Sequence, residues 1–367
     1  MTNHMLIVGA SGVIGTGAVE HFARLQGWRV TALSRRRPVV ADDVRFDHVA
    51  ADLTDAAACT VAISTLPPVS HMIYAAVLES DDLVSGWRDE KLIALNGTML
   101  TNVLDPVADC GHLRHLSLLQ GAKAYGGHRH PVTTPAREDR PRDDHPNFYW
   151  LHEDLARARA TRAGFALTVF RPQVLLGSAP GAAMNPVAAI GAYAAIAREL
   201  GRPFACPAAA PTLWELVDTE LLAEAFAWST DSPAAHGQTF NVTNGDGFVL
   251  QHAWPDLAAR LGHSDGGVEP RRLADLFAEP EVLIGWDRIV ARHGLRVPNL
   301  AALLGKSHHY LDLLCSARIA DKAAPFLLST IKIRQAGFAP CRDSLDSLVH
   351  WLQRMVELRL LPSFVPN

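Results

Sequence analysis

The sequence predicts an α/β fold: a doubly wound parallel sheet with a smaller, mainly helical part toward the C-terminus. Three observations carry that expectation. Apolar runs of strand length recur through the first 172 residues and alternate with helix-like stretches. The first of them leads straight into a glycine motif at the opening of a helix. After Pro172 the alternation stops, and breaks rich in proline and glycine ("GSAPGAAMNP", "CPAAAPT") separate longer helical segments. Strands that are apolar along their whole length belong to a parallel sheet covered on both faces.

Taken in order, "MLIV" (5–8) is the first strand and a helix follows from Val13 to Leu25. "WRVTALS" (28–34) has the β-branched pattern of a second strand. "HMIYAA" (71–76), "HLRHLSLL" (112–119) and "FALTVFR" (165–171) continue the series. Between Glu79 and Val107, spaced leucines around a central Asn96 fit a crossover helix. These elements describe a Rossmann-type dinucleotide-binding domain over residues 1–172, followed by a mainly helical substrate-binding part, 173–367, interleaved with the sheet. Most of 251–325 reads as helical and of mixed polarity. The segment 182–201, "AAMNPVAAIGAYAAIARELG", is interrupted by Asn185 and Pro186, and its alanines are weakly apolar. It falls short of the roughly 20 strongly apolar residues a membrane span needs, so a buried helix is expected there.

The 367 residues are 49% hydrophobic and 20% charged, with a formal net charge of -4. That is the composition of a globular chain with a sizeable core, and no basic field invites nucleic acid. Cys59, Cys110, Cys206, Cys315 and Cys341 are dispersed, without a C-x-x-C pair. Such a set reads as reduced thiols and a cytoplasmic setting, neither a disulfide framework nor a zinc site. The first strand starts at Met5, which leaves no room for a secretory leader. No membrane partner is expected, and a homodimer is compatible with such a chain.

The densest local chemistry is "IVGASGVIG" (7–15), where Gly9, Gly12 and Gly15 form G-x-x-G-x-x-G between strand and helix. Glycines there permit a tight turn and let the backbone approach a pyrophosphate. The amides of Ser11, Gly12, Val13 and Ile14 would then face the phosphates at the positive end of the helix. The alternative is an ordinary strand-to-helix turn. The second strand ends in Ser34, Arg35, Arg36 and Arg37 with no acid. An acid would select NAD through the ribose hydroxyls, whereas guanidinium groups match a 2′-phosphate, so NADP(H) is the expected cofactor. Asp52 and Leu53 follow the third strand. Asp52 either reaches the adenine edge or caps the next helix. Ala75 ends the fourth strand, and Pro172 and Val174 follow the sixth, where backbone would abut the nicotinamide.

Together these residues resemble the short-chain dehydrogenase/reductase superfamily in its extended form. Most members pair their acid and base as Tyr-x-x-x-Lys on one helix, but four residues after Tyr149 stands Glu153. "HLSLLQGAKAYGG", "NFYWLHEDL", "VFRPQVLLG" and "FNVTNGD" resemble the progesterone 5β-reductase and iridoid synthase-like family. There the lysine lies in a S-L-Q-T-G-x-K loop after the fifth strand, and the tyrosine in N-F-Y-Y-x-x-E-D. By that match Lys123 and Tyr149 take the catalytic positions, and "KIRQAGF" (332–338) fits a further motif near the C-terminus. Leu119 and Gln120 stand where glutamine and threonine are usual, and Trp150 replaces the second tyrosine.

The resemblance implies 1,4-reduction of a small apolar enone, with hydride to the β-carbon. Negative charge then develops on the enolate oxygen, where a preorganised donor such as Tyr149 acts, aided by Lys123. In isolation Tyr149 reads as a core aromatic and Lys123 as a solvated charge; their joint placement in the motifs makes them candidates. A carbonyl reductase or sugar-nucleotide epimerase would need the missing Tyr-x-x-x-Lys. A catalytically silent NADP(H)-sensing protein would not need to keep Lys123 and Tyr149. His128 and His130 read as solvated, and no metal site is expected. The loop 128–146 is either a lid or a surface connection.

Overall fold

The computed structural model describes residues 3–79, 89–127, 129–316 and 325–364. In chain order the first elements are β1 (Asn3–Val8), α1 (Val13–Arg24), β2 (Trp28–Leu33), β3 (Asp47–Val49) and α2 (Ala56–Ser64). Then come β4 (His71–Tyr74), α3 (Glu90–Asp109), β5 (His115–Leu119), a 3-10 turn (Ala122–Tyr125), α4 (Phe148–Ala163) and β6 (Ala166–Pro172). They are followed by β7 (Val174–Leu176), α5 (Val187–Glu199), β8 (Leu213–Trp214), β9 (Leu216–Asp218), α6 (Thr219–Asp231), β10 (Thr239–Val242) and β11 (Phe248–Val249). Short helices make up much of the described remainder.

Two compact units result. The first comprises Met1–Gln173, Thr219–Val242 and Leu328–Pro340. Its seven strands are all parallel, in the order β10-β6-β5-β4-β1-β2-β3. The order reverses between β1 and β4, so the carboxyl ends of those two strands open the crevice where α/β sheets of this type take their ligands. One face carries a continuous apolar cluster that includes Leu6, Leu33, Met72, Leu116 and Val169 from the strands. Cys59 and Ile63 of α2, Leu100 and Val103 of α3, and Ala156 of α4 pack onto it. On the other face α6 covers β6, with the Phe170 and Phe226 rings edge to face at 5.1 Å. β4, β5 and β10 are buried along their whole length, as two covered faces require, while β3 at the sheet edge is not.

The crossover helix read over Glu79–Val107 begins only at Glu90, capped by Asp89, whose carboxylate accepts from Lys91 N–H and Leu92 N–H. Residues 80–88 of that expected helix lie outside the described residues. Asn96 is fully buried and bonds both the N–H and C=O of Leu78, at 2.9 and 3.0 Å. It thereby fixes the chain that leaves β4. The fifth strand begins at His115, three residues later than the apolar pattern starts. The seventh strand, β10, has no counterpart among the strands expected from the sequence.

The second unit comprises Val174–Asp218, Thr243–Leu327 and Cys341–Asn367. Its centre is α5, buried from Val187 through Ala197, within the segment expected to be a buried helix. Two small two-stranded sheets, β7 with β9 and β8 with β11, accompany its helices. Among the described residues no helix is long and apolar enough to cross a membrane.

The first unit buries histidines as neutral rings. His71 opens β4 and its pKa is drawn down to about 4, by burial first and then by the charge of Arg114. His115 opens β5 and falls to about 3, through burial and then the neighbouring His236 and His71. His152 of α4 falls to about 4 by burial, against the opposing pull of its bond to the Asn96 carbonyl. His115 Nε2 faces Thr168 Oγ1 at 3.0 Å, while its Nδ1 has no hydrogen-bond partner among the described residues. A second proton there would have no acceptor. An unfolded chain takes up these protons below roughly pH 6.5, the folded chain only near 4 and below. Stability is therefore full above that range and lost as pH falls through it, by about 1.4 kcal/mol per pH unit for each ring. Urea midpoints should fall steadily from pH 6.5 to 5; a flat midpoint would show that the rings charge freely in the folded protein.

Candidate active site

At the carboxyl end of β1 the chain turns at Gly9, whose φ of +81° is open to glycine. A Cβ there would lie 2.6 Å from Ala76 N, and one on Gly15 would lie 2.6 Å from Ala10 Cα. The glycine motif thus folds so that the turn, the segment after β4 and the first turn of α1 lie backbone to backbone. Gly12 is the N-cap of α1, without a side-chain cap and with no acid in the first turn. Helix geometry leaves the amides of Val13, Ile14 and Gly15 without intrahelical acceptors, at the positive end of the dipole. Ser11 and Ile14 are half-buried and Gly12 is exposed, so the rim of this cradle is open. Ala75 donates its N–H to Val8 O at 2.9 Å, which holds the opposite wall in place.

Ser34 follows β2 and its hydroxyl donates to Arg36 O at 2.7 Å, curling the chain so that Arg35 and Arg36 are exposed. Arg37 is used differently: its guanidinium lies 4.3 Å over the Phe46 ring. Asp52 accepts from Thr54 N–H at 3.0 Å and Thr54 Oγ1 at 2.8 Å. Those bonds, and then the charge of Arg35, hold its carboxyl below the usual range. The capping role left open for Asp52 belongs instead to Asp55, which accepts from Ala58 N–H at 2.9 Å. Three residues separate that pair in sequence, and the turn at Asp52 ends before the helix starts. Leu53 is buried, and its carbonyl accepts from Asn102 at 2.9 Å.

The tyrosine and lysine stand on separate elements of the first unit. Asn147 caps α4 by accepting Tyr149 N–H at 3.0 Å, which sets Tyr149 in the first helical turn. Its hydroxyl reaches Gly121: a Cβ on Gly121 would lie 2.9 Å from Tyr149 Oη and 3.6 Å from Pro172 O. The structure therefore brings together the ends of β5 and β6 and the start of α4, and a side chain at Gly121 would press on the Tyr149 hydroxyl. Lys123 follows two residues later in the 3-10 turn. Burial draws its pKa down to about 8, opposed by the charge of Glu79. Glu79 carries no sequence signal; Asn96 places it there by holding Leu78.

Position 153 explains the missing pair. Glu153 is buried, and its carboxylate accepts from Gln120 Nε2 and Arg157 Nε at 2.8 Å each. Arg142 and Arg171 stand 3.4 and 3.9 Å away. Gln120 also donates to Tyr149 O at 3.1 Å and accepts from Arg171 Nε at 2.7 Å. The Arg171 guanidinium lies 5.0 Å over the Tyr125 ring, and the Tyr125 hydroxyl donates to Asn241 at 2.7 Å. This network underlies the tyrosine: Glu153 and Gln120 tie α4 to the ends of β5 and β6.

The segment 129–146 is anchored at its middle. Asn241 donates to Ala136 O at 3.1 Å and its own N–H bonds Glu138 at 2.8 Å. His130, expected to be merely solvated, is exposed yet pairs with Asp143 at 2.6 Å; His128 lies outside the described residues. Val174 lies in β7 of the second unit, paired with Leu216. Lys332 of "KIRQAGF" donates to Thr239 O at 3.0 Å and supports β10.

A seven-stranded parallel sheet with a glycine turn at its switch point, and a tyrosine at the mouth of the next strands, is the arrangement of the short-chain dehydrogenase/reductases. Residues 5–243 match the model of the NAD dependent epimerase/dehydratase family. The chain is 30% identical to an (S)-8-oxocitronellyl enol synthase from Antirrhinum majus, over 97% of this chain and 92% of that protein. A second such synthase, from Nepeta cataria, is also 30% identical, over 98% and 91%. In fold the chain is similar to the Bordetella bronchiseptica enzyme WbmH in complex with NAD+, with a TM-score of 0.65, 16% identity and coverage of 97% and 98%. It is likewise similar to UDP-glucose 4-epimerase from Bifidobacterium longum in complex with NAD+ and UDP, with a TM-score of 0.65, 14% identity and coverage of 96% and 98%. The protein belongs to the NAD dependent epimerase/dehydratase family, the extended short-chain dehydrogenase/reductases, and is an enzyme of its progesterone 5β-reductase and iridoid synthase-like group.

Proposed function

We propose that the protein is an NADPH-dependent reductase of α,β-unsaturated carbonyls, acting on a small apolar enone. One observation carries the reading. The Tyr149 hydroxyl lies against Gly121, at the turn that bears Lys123, while position 153 holds a carboxylate engaged by Gln120 and Arg157. A cation for this tyrosine therefore comes from the loop after β5, as in the enone-reducing relatives the motifs resemble.

The residues fit the cofactor. Gly9 and Gly15 let the turn, the segment after β4 and the first turn of α1 pack backbone to backbone, and the open first turn of α1 suits the phosphates through Ser11, Val13 and Ile14, beside Gly12, whose own N–H is given to Gly9 O at 3.0 Å. Arg35 and Arg36, exposed after Ser34 and with no acid at that strand end, suit a 2′-phosphate. Asp52 and Leu53 stand for the adenine side, Ala75 and Pro172 for the nicotinamide side. The reduced nicotinamide supplies a hydride. Tyr149 donates a hydrogen bond to the substrate oxygen, and that bond strengthens as negative charge gathers there. Lys123, still mostly protonated at neutral pH with a pKa of about 8, adds a positive field from the adjoining turn. The name of the relatives, enol synthases, describes a product whose oxygen has passed through that charge.

The test follows deuterium from NADPH labelled at the transferable position into 2-cyclohexenone. Label at the β-carbon is expected, with NADH slower by roughly tenfold or more. Label on the carbonyl carbon would make the protein a carbonyl reductase, and binding of NADPH without turnover of any enone would make it a sensor.

A further inference from the structure

We propose that Asp143 is a positioning residue: with His130 and His145 it fastens the turn that carries Lys123 to the first turn of the helix that carries Tyr149. The assignment rests on the reading of Lys123 and Tyr149 given above. The clamp begins at Asn147, whose Oδ1 accepts Tyr149 N–H at 3.0 Å. That bond decides which way the amide faces, so Nδ2 is the atom 3.1 Å from His145 Nε2. The ring nitrogen has to accept, and the His145 proton therefore sits on Nδ1, the atom in contact with Asp143 Oδ2 at 2.6 Å. His145 is buried.

The second oxygen of Asp143 faces His130 Nε2 at 2.6 Å. The other nitrogen of His130 lies 3.0 Å from the Pro131 carbonyl, which also only accepts. Both nitrogens of His130 are thus placed as donors, the form of the imidazolium. The Pro131 carbonyl and then Asp143 hold its pKa above the ordinary range. Burial alone would raise Asp143, and the bonds and charges of His130 and His145 more than reverse that, leaving it lowered. Arg129 also stands near, 3.5 Å from Oδ2.

The far end of the clamp rests on Gly126, at φ +74°. A Cβ on Gly126 would lie 2.5 Å from Asp143 Oδ2 and 2.7 Å from His130 Nε2, so the carboxylate and ring sit directly on its backbone. Gly126 O accepts from the amides of Arg129 and His130 at 2.8 and 3.2 Å, and Gly126 N–H donates to Lys123 O at 3.1 Å. An unbroken chain of bonds and contacts therefore runs from the carbonyl of Lys123 to the amide of Tyr149. Two groups that other members of the superfamily carry on one helix are here on separate elements, and this chain supplies the missing rigidity.

The test reads Lys123 directly, by NMR titration of 13C-methylated lysines with the signal assigned through Lys123→Arg. In Asp143→Ala the Lys123 titration is expected to move up by about one pH unit or more, from about 8, as the turn loosens and water reaches the ammonium. Losing the carboxylate's field alone would move it the other way. Enone turnover should fall roughly ten- to a hundredfold, with KM for NADPH changed by no more than about twofold. A Lys123 titration that stays in place, whatever the loss of melting temperature, overturns the proposal. If Asp143→Ala does not fold, Asn147→Ser serves: it keeps a helix-capping oxygen and removes the donor to His145. An upward shift in that variant supports the clamp, and none overturns it. The titration stands apart from catalysis. A protein that reduces no enone but whose Lys123 responds to Asp143→Ala keeps the clamp and loses the enone reading, and the reverse result keeps the reading and loses the clamp.

Discussion

Replacing Tyr149 by phenylalanine is expected to lower enone turnover roughly 10²–10³-fold while leaving NADPH affinity nearly intact. The hydroxyl is the only atom removed, and its place is beside Gly121 and the Pro172 carbonyl at the mouth of β5 and β6. The ring stays packed edge to face against Phe148 at 4.6 Å, so the fold loses little. Lys123→Ala should also slow turnover, because it removes the positive field beside the same oxygen. The double variant is expected to fall short of the product of the two losses, since both groups act on one charge. Steady-state kinetics with cofactor titrations and thermal melts decide the matter. Parallel losses of NADPH binding, melting temperature and turnover in Tyr149→Phe would make the tyrosine a structural residue.

Glu153→Lys rebuilds the Tyr-x-x-x-Lys spacing of the wider superfamily, yet it is expected to destabilise the protein by roughly 4 kcal/mol or more. The substitution removes the carboxylate from Arg157 at 2.8 Å, Arg142 at 3.4 Å and Arg171 at 3.9 Å, and puts a fourth cation among them. Gln120, which gives one bond to Glu153 and one to Tyr149 O, would lose its acceptor. Glu153→Gln keeps an oxygen for Gln120 and should cost only about 1–3 kcal/mol. Urea unfolding of the pair checks the difference. A Glu153→Lys protein as stable as the parent, or one that gains carbonyl reduction, would show that the arginines do not hold this position.

Much of the first unit was legible because the forces that set it are local. A strand covered on both faces has to be apolar along its length, so β1, β2, β4, β5 and β6 show as runs. The Gly9 turn requires a positive φ, and the chain writes that requirement as a glycine. Asn147 before the helix of Tyr149 is a capping signal that spacing alone could have exposed. The three-residue difference between a helix cap at Asp55 and a turn at Asp52 was harder, because either acid satisfies the pattern and only the folded chain shows which amide each one meets.

What the sequence by itself determined is the parallel sheet, the glycine turn and the separation of Tyr149 from Lys123. The tertiary structure alone decided which charges answer one another. Tyr125 meets Asn241 across 116 residues and Gln120 meets Glu153 across 33. Asp143 stands between His145 and His130, the latter read in the sequence as merely solvated. Polar side chains carry no periodicity that announces a partner, because a hydrogen bond needs one donor and one acceptor at a single distance, wherever the fold delivers them. Apolar burial is summed over many interchangeable contacts and leaves its period in the chain, whereas a buried charge depends on two or three named atoms. That asymmetry is why the frame of this protein can be read along its sequence and the support of its candidate active site only across its fold.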